Sequence, residues 1–227
     1  MKEQQAAFNP AEAAMYAVGA VAGAALGVLA AMWISSAMAA QSPVFWFASR
    51  ASAIVAYLLL WLSTAWGVTV SSKGIGGRIS GALAYAMHNV TSWLALSFAL
   101  VHALTLLGDR VMPFTLPAIL IPFIAGYRPF FTGLGTTSLY VGAVVSGAFY
   151  MKKRLGRQTW RTIHGLSYAM FAVVTLHSIV LGTDTGTPVM KAIYVVAGSS
   201  VVLLTLFRII AARSAGSPQA GRVLAVS

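Results

Sequence analysis

The stretch WRTIHGLSYAMFAVVTLHS, residues 160–178, has the character of a membrane-spanning helix and carries two histidines. His164 and His177 lie thirteen residues apart, toward the two ends of one apolar run. Ionisable side chains inside a bilayer are costly and are usually functional. The stretch therefore indicates a membrane protein in which one helix holds a functional imidazole at each of its ends.

The composition of the whole chain favours an integral membrane protein. Of its 227 residues, 59% are hydrophobic and only 8% are charged, and one span needs roughly 20 apolar residues. We expect an all-α, six-transmembrane-helix bundle, multi-pass in the plasma (inner) membrane, between a short segment at 1–12 and a tail at 213–227. The six predicted spans are residues 13–38, 46–70, 80–107, 134–151, 161–182 and 189–212.

The basic residues predict the orientation of these spans. If both termini are cytoplasmic, eleven Lys and Arg fall inside and four fall outside, which agrees with the positive-inside rule. The net charge of +11 therefore indicates contact with lipid, not with nucleic acid. The motif SAMAAQS resembles a signal-peptide cleavage site, but the apolar run before it is longer than a signal peptide's and follows a nearly neutral start. We therefore expect the first helix to be retained.

Several classes of function are disfavoured by what the sequence lacks. It has no cysteine, which excludes iron–sulfur ligation, thioether-attached haem, structural disulfides and thiol catalysis. Its four acidic residues fall near the ends of apolar runs, which disfavours a proton relay or a cation transporter. The glycine-rich stretches SKGIGGR and TGLGTT lack the strand–turn–helix context of a dinucleotide site, so no dedicated flavin domain is expected.

All four histidines of the chain lie on two of the predicted spans. His88 and His102 are fourteen residues apart on the third span, as His164 and His177 are thirteen apart on the fifth. One span separates these two, so they run in the same direction and the histidines form two levels about 20 Å apart. Two imidazoles at one depth match the axial ligands of a b-type haem. The pattern predicts two haems b, with the inner iron bound by His88 and His164 and the outer iron by His102 and His177.

In these residues the sequence resembles the ferric reductase-like transmembrane domain. That family is shared by ferric reductases, NADPH oxidases and the haem-binding membrane subunit of bacterial methionine sulfoxide reductase. The stretches SRASAIVAYLLLWLST and KKRLGRQTWRTIHGLSYAMFAVVTLH carry the resemblance, which covers residues 45–212. It implies that the four histidines bind haem b and carry electrons across the membrane. A separate donor, either a flavoprotein or quinol, and an external acceptor or reductase subunit are then expected, with quinone as a further candidate cofactor.

The expected function is that of a di-haem b-type membrane cytochrome, an electron-transfer component of an oxidoreductase. Substrate chemistry is assigned to a partner, because the chain shows no acid, base or nucleophile constellation of its own. Two alternatives stay open. One is a haem-binding subunit dedicated to a periplasmic methionine sulfoxide reductase, and the other, from a different class, is a haem-free scaffold subunit of a membrane complex.

Two further expectations concern the surroundings of the histidines. The carboxylates of a haem need cationic partners near a low-dielectric region, and the candidates are Arg50, then Arg110 and Arg128, outside, and Arg161, then Arg157 and Arg78, inside. At 100° per residue, thirteen residues miss the starting face of a helix by about 140°. We therefore predict a bend or widened turn between His164 and His177. The competing interpretation is a straight helix whose two histidines face different sides.

Overall fold

The computed structural model describes residues 43–71, 79–109 and 112–215, and every regular element within these ranges is helical. The chain divides into two compact units, Met1–Phe45 and Trp46–Ser227. Of the first unit only residues 43–45 are described, so the fold below is essentially that of the second. The predicted first span at 13–38 lies outside the described residues, as do Arg78 and Arg110.

Seven α-helices and one short 3₁₀ turn make up the described part of the chain. The turn, Leu106–Gly108, directly extends the second helix. The helices are α1 Val44–Ser71, α2 Gly81–Thr105, α3 Leu116–Leu120, α4 Pro129–Tyr150, α5 Lys152–Leu155, α6 Arg157–Leu181 and α7 Pro188–Ala215.

Four of the described helices are long and apolar enough to cross a membrane. They are α1, α2 with its 3₁₀ extension, α6, and α7 as far as Ala211. These four helices coincide with the spans predicted at 46–70, 80–107, 161–182 and 189–212. Large apolar side chains on them are freely exposed, among them Val195, Leu203 and Ile210 on α7, as expected for helices that contact lipid. The chain is thus all-helical in its described part, with the character of a multi-pass membrane protein.

Helix α4 coincides with the predicted span at 134–151 but is not among these four helices. It makes its most extensive contacts with α6 and further contacts with α2. Small side chains at a helix interface let two backbones approach closely, and the inward face of α4 is built from such residues. Its buried residues are Thr132, Gly133, Thr136, Ser138, Gly142, Val145 and Ala148.

A second packing centre joins α1, α6 and α7. Tyr57 of α1 is 2% exposed and stacks on Phe171 of α6, with ring centroids 6.1 Å apart. Ala197 and Val201 of α7 complete the cluster. This arrangement fixes α1 beside α6 along their middle turns, between the positions of the histidines.

Helix α6 is a single α-helix from Arg157 to Leu181, with no 3₁₀ or π turn inside it. The widened turn predicted between His164 and His177 is therefore wrong. The competing interpretation agrees with the neighbours of the two rings. His164 lies beside His88 of α2, whereas His177 reaches the Phe131 carbonyl of α4.

Candidate functional site

A cavity of about 1010 Å³ runs through the described helices, and all four histidines line it. Pockets that hold a single small ligand usually measure about 300–1,000 Å³, so this cavity is at the top of that range. The predicted arginines Arg50 and Arg161 also line it, as does Arg157. The four histidines and these three arginines are thus gathered around one internal space, whereas Arg128 does not line it.

At one end of the cavity, two imidazoles are held by backbone carbonyls. The Nδ1 of His102 lies 2.9 Å from the Ser49 carbonyl oxygen and 3.0 Å from the Ser49 hydroxyl. The Nδ1 of His177 lies 2.8 Å from the Phe131 carbonyl oxygen. A carbonyl only accepts, so each Nδ1 carries the proton and each Nε2 keeps a lone pair. We refer to this region as the His102 end.

At the other end of the cavity, the His88 end, a histidine Nδ1 again lies next to the carbonyl and the hydroxyl of a serine. The Nδ1 of His88 lies 2.8 Å from the Ser63 carbonyl oxygen and 3.3 Å from the Ser63 hydroxyl. The ring of His164 lies opposite, with centroids 5.9 Å apart and planes at 79°. Histidines that bind metals commonly donate their other ring N–H to a carbonyl or carboxylate, which fixes the tautomer and the ring orientation.

The two ends are separated by four turns of α1. Ser49 and Ser63, the partners of His102 and His88, are fourteen residues apart, which corresponds to about 21 Å along a helix. Helix α1 is also fixed relative to α6 by an ion pair. Arg50 pairs with Asp184, which follows the end of α6 that carries His177. The structure thus places the ring of His88 beside that of His164, and it places His102 near His177 at the opposite end.

Two glycines make room for the rings. A Cβ built on Gly67 of α1 would lie 3.2 Å from Cε1 of His88. A Cβ on Gly135 of α4 would lie 2.8 Å from Nδ1 and 2.9 Å from Nε2 of His177. Real Cβ atoms do not approach other atoms so closely, so the position of the His177 ring requires glycine at 135.

Two of the candidate arginines, Arg50 and Arg128, have hydrogen-bond partners in the structure. Arg50 donates from Nε to Asp184 at 2.9 Å and pairs with the same carboxylate through its second nitrogen, and its guanidinium lies 4.0 Å from the centre of the Trp46 ring. Arg128 donates to the Val180 carbonyl at 2.7 Å. Arg161 lines the cavity on the same helix as His164. Asp184 as the partner of Arg50 was not anticipated from the sequence.

The arrangement offers four imidazoles around an internal space, and in His88, His102 and His177 the Nδ1 contact leaves Nε2 as the nitrogen available for a ligand. Among the described residues, no three or more His, Cys, Asp or Glu side chains form a group suited to an ion bound by the protein alone. What the site offers instead is two pairs of imidazoles. The supporting groups, the carbonyls of Ser49, Ser63 and Phe131 and the glycines, were missed at the level of sequence.

Comparison with protein families matches residues 44–184 to a domain of unknown function, DUF8596. The matched range begins at α1 and ends at the partner of Arg50, so it contains all four histidines and both ends of the cavity. No curated protein matches the chain significantly, and no solved structure does. Because the match covers more than half of the sequence, the chain belongs to the DUF8596 family.

Proposed function

We propose that the chain is a di-haem b-type membrane cytochrome that carries electrons across the bilayer. The donor is cytoplasmic or a quinol, and the acceptor is external or a partner reductase. The single observation that carries the proposal is the arrangement of the four histidines. They are the only histidines of the chain, and they line one cavity at two levels. The resemblance of the histidine spacing to the ferric reductase-like transmembrane domain supports the same reading.

The residues at the His88 end fit a six-coordinate haem. An imidazole nitrogen binds a transition metal at about 2.0–2.1 Å, so two imidazoles on opposite sides of one ion have ring centroids roughly 6.4 Å apart. The observed 5.9 Å between His88 and His164 is close to this separation. A haem needs only two axial ligands from the protein. A pair of histidines therefore suffices where a bare ion would require a larger group.

The hydrogen bonds at Nδ1 support the same assignment. Donation to a carbonyl holds the imidazoles of His88, His102 and His177 in the tautomer that can ligate through Nε2. Such donation also raises the basicity of the ligand and fixes the plane of the ring.

Haem iron supplies one-electron chemistry with a potential set by its axial ligands and their hydrogen bonds. The chain contributes imidazoles at two levels about 21 Å apart, within a hydrocarbon layer of about 30 Å. Two such pairs divide the width of the bilayer into shorter intervals for electron transfer. We place the chain in the plasma (inner) membrane, with the oxidation or reduction of the final substrate assigned to a partner.

The proposal is tested by the visible spectrum and haem content of the purified protein. Dithionite reduction should give the sharp α and Soret bands of bis-histidine haem, with two haems per chain. His102→Ala and His177→Ala should each leave one haem, and so should the double variant, because both residues belong to the same pair. His102→Ala combined with His164→Ala should leave none.

Matched controls exist on the same helices. Thr105→Ala on α2 and Thr162→Ala on α6 remove hydroxyls that bond only to carbonyls of their own helix, and both should retain two haems. A protein produced with ample haem that shows no α or Soret band would refute the proposal and favour a haem-free scaffold. Retention of two haems by His102→Ala would refute the pairing.

A further inference from the structure

A stripe of side chains on α6 lines the cavity at the His88 end. Arg157, Trp160, Arg161 and His164 occupy positions i, i+3, i+4 and i+7, which lie on one face of a helix. All four line the cavity, and Lys152 of α5 joins them. The stripe therefore combines three cations and one indole next to the proposed ligand His164.

The indole of Trp160 is held in a fixed orientation. Its ring stacks on that of His164, with centroids 5.3 Å apart and planes at 19°. The ammonium of Lys152 lies 4.3 Å from the centre of the same ring. Both contacts restrict the direction in which the indole N–H points.

That N–H has no acceptor. Trp160 Nε1 is buried, and within the described part of the chain it is the one buried side-chain nitrogen or oxygen without a hydrogen-bond partner. An indole N–H can only donate, and buried donors in folded proteins are nearly always bonded. The missing partner therefore points to an acceptor that is not part of the described chain.

The charge around this donor indicates what kind of acceptor fits. Lys152, Arg157 and Arg161 form no ion pair with a carboxylate of the described residues, and the Arg50–Asp184 pair lies at the His102 end. Arginine and lysine next to a neutral donor are the groups that recognise carboxylate and phosphate oxygens. The site is rich in donors and poor in acceptors, so its complement is an oxyanion.

We propose that Trp160 Nε1, with Lys152, Arg157 and Arg161, forms an oxyanion site at the His88 end of the cavity. Its occupant is a carboxylate of the cofactor held by His88 and His164, because the donating indole is stacked on His164. This identification of the occupant rests on the proposed function. The same chemistry would also accept the phosphate of a lipid headgroup, and the experiment separates these two sources.

The decisive variant is Trp160→Phe, which keeps an aromatic ring against His164 and removes only the N–H. Trp93→Phe is the matched control, because Trp93 also lines the cavity but lies on α2. The first arm uses a His102→Ala background, which retains only the His88 pair, in nanodiscs of phosphatidylcholine. Loss of one hydrogen bond to a charged group should speed the transfer of haem to apomyoglobin about ten- to a hundredfold. The carboxylate bending modes in the resonance Raman spectrum should shift as well.

The second arm measures phosphatidylglycerol retained by the protein after nanodiscs with and without this anionic lipid are exchanged for detergent. Faster haem loss and a Raman shift in Trp160→Phe alone, with unchanged lipid, support the carboxylate. Reduced retention of anionic lipid with unchanged haem would support the oxyanion site but overturn its assignment to the cofactor. If Trp160→Phe matches Trp93→Phe in both arms, the oxyanion site is refuted. A wild-type protein without haem would refute the proposed function, and the second arm would still decide whether an oxyanion binds.

Discussion

Replacing Gly135 of α4 with alanine should damage the His102 end of the cavity specifically. The new Cβ would lie 2.8 Å from Nδ1 and 2.9 Å from Nε2 of His177. The ring must therefore move, and its hydrogen bond of 2.8 Å to the Phe131 carbonyl would be lost or lengthened. Because this bond fixes the tautomer of His177, the variant tests the support of the ligand without touching the ligand itself.

The expected cost follows from two opposing effects. Alanine is favoured over glycine within a helix by about 1 kcal/mol, whereas overpacking of a filled site costs about 1–3 kcal/mol and a lost buried hydrogen bond costs about 1 kcal/mol. Gly147 lies on the same helix, and a Cβ there would meet nothing within 4 Å. Gly147→Ala thus has only the favourable effect, and we expect Gly135→Ala to be less stable than this control by about 2–4 kcal/mol.

The assay is thermal unfolding of both variants in the same detergent, together with haem content per chain. Gly135→Ala should show the lower unfolding midpoint and, under the proposed function, about half the haem of Gly147→Ala. Equal stability of the two variants would refute the view that the ring of His177 occupies the space above Gly135. A loss of stability without any loss of haem would keep the packing argument and refute the role of His177 as a ligand.

Three further predictions concern orientation and packing. The sequence has no cysteine, so a single introduced cysteine can be labelled with a thiol reagent without background. Lys153→Cys should be labelled from the cytoplasmic side and Gly186→Cys from the opposite side. The reverse pattern would overturn the predicted orientation. Arg50→Gln and Asp184→Asn should each lower the unfolding free energy by about 1 kcal/mol, and their combination should cost little more than one alone, since additive losses would mean that the pair is not coupled. Tyr57→Phe should cost about 1 kcal/mol or less and Tyr57→Ala about 3 kcal/mol in the same unfolding assay; equal losses would contradict a packing role for the ring.

The apolar spans were predictable because their signal is local. A run of about 20 apolar residues has few alternatives to a membrane helix, and α1, α2, α6 and α7 follow the predicted bounds closely. Helix α4 is harder to recognise as a membrane span from its hydropathy, because its inward face consists of small and hydroxylated residues such as Gly142 and Ser138. Its place in the bundle depends on α6, and such tertiary contacts leave little trace in a hydropathy pattern.

The two serines that contact the histidines could have been predicted from their spacing in the sequence. Ser49 and Ser63 are fourteen residues apart, as are His88 and His102. On two antiparallel helices, equal spacing lets each serine meet one histidine, and the structure joins the Ser49 hydroxyl to His102 and the Ser63 hydroxyl to His88. The Phe131 carbonyl had no such signal, because any residue type supplies the same backbone oxygen.

Helix α6 continues without a 3₁₀ or π turn across the thirteen residues between His164 and His177. Its two histidines point about 140° apart, so their rings have different neighbours outside α6. His164 is matched by His88 of α2, whereas His177 is oriented by the Phe131 carbonyl and admitted by Gly135, both of α4. The mismatch in phase therefore accounts for the contact of His177 with α4, which packs against α6. It also accounts for the glycine of α4 at the point where the ring of His177 passes, while α1, α2 and α6 contribute to both ends of the cavity.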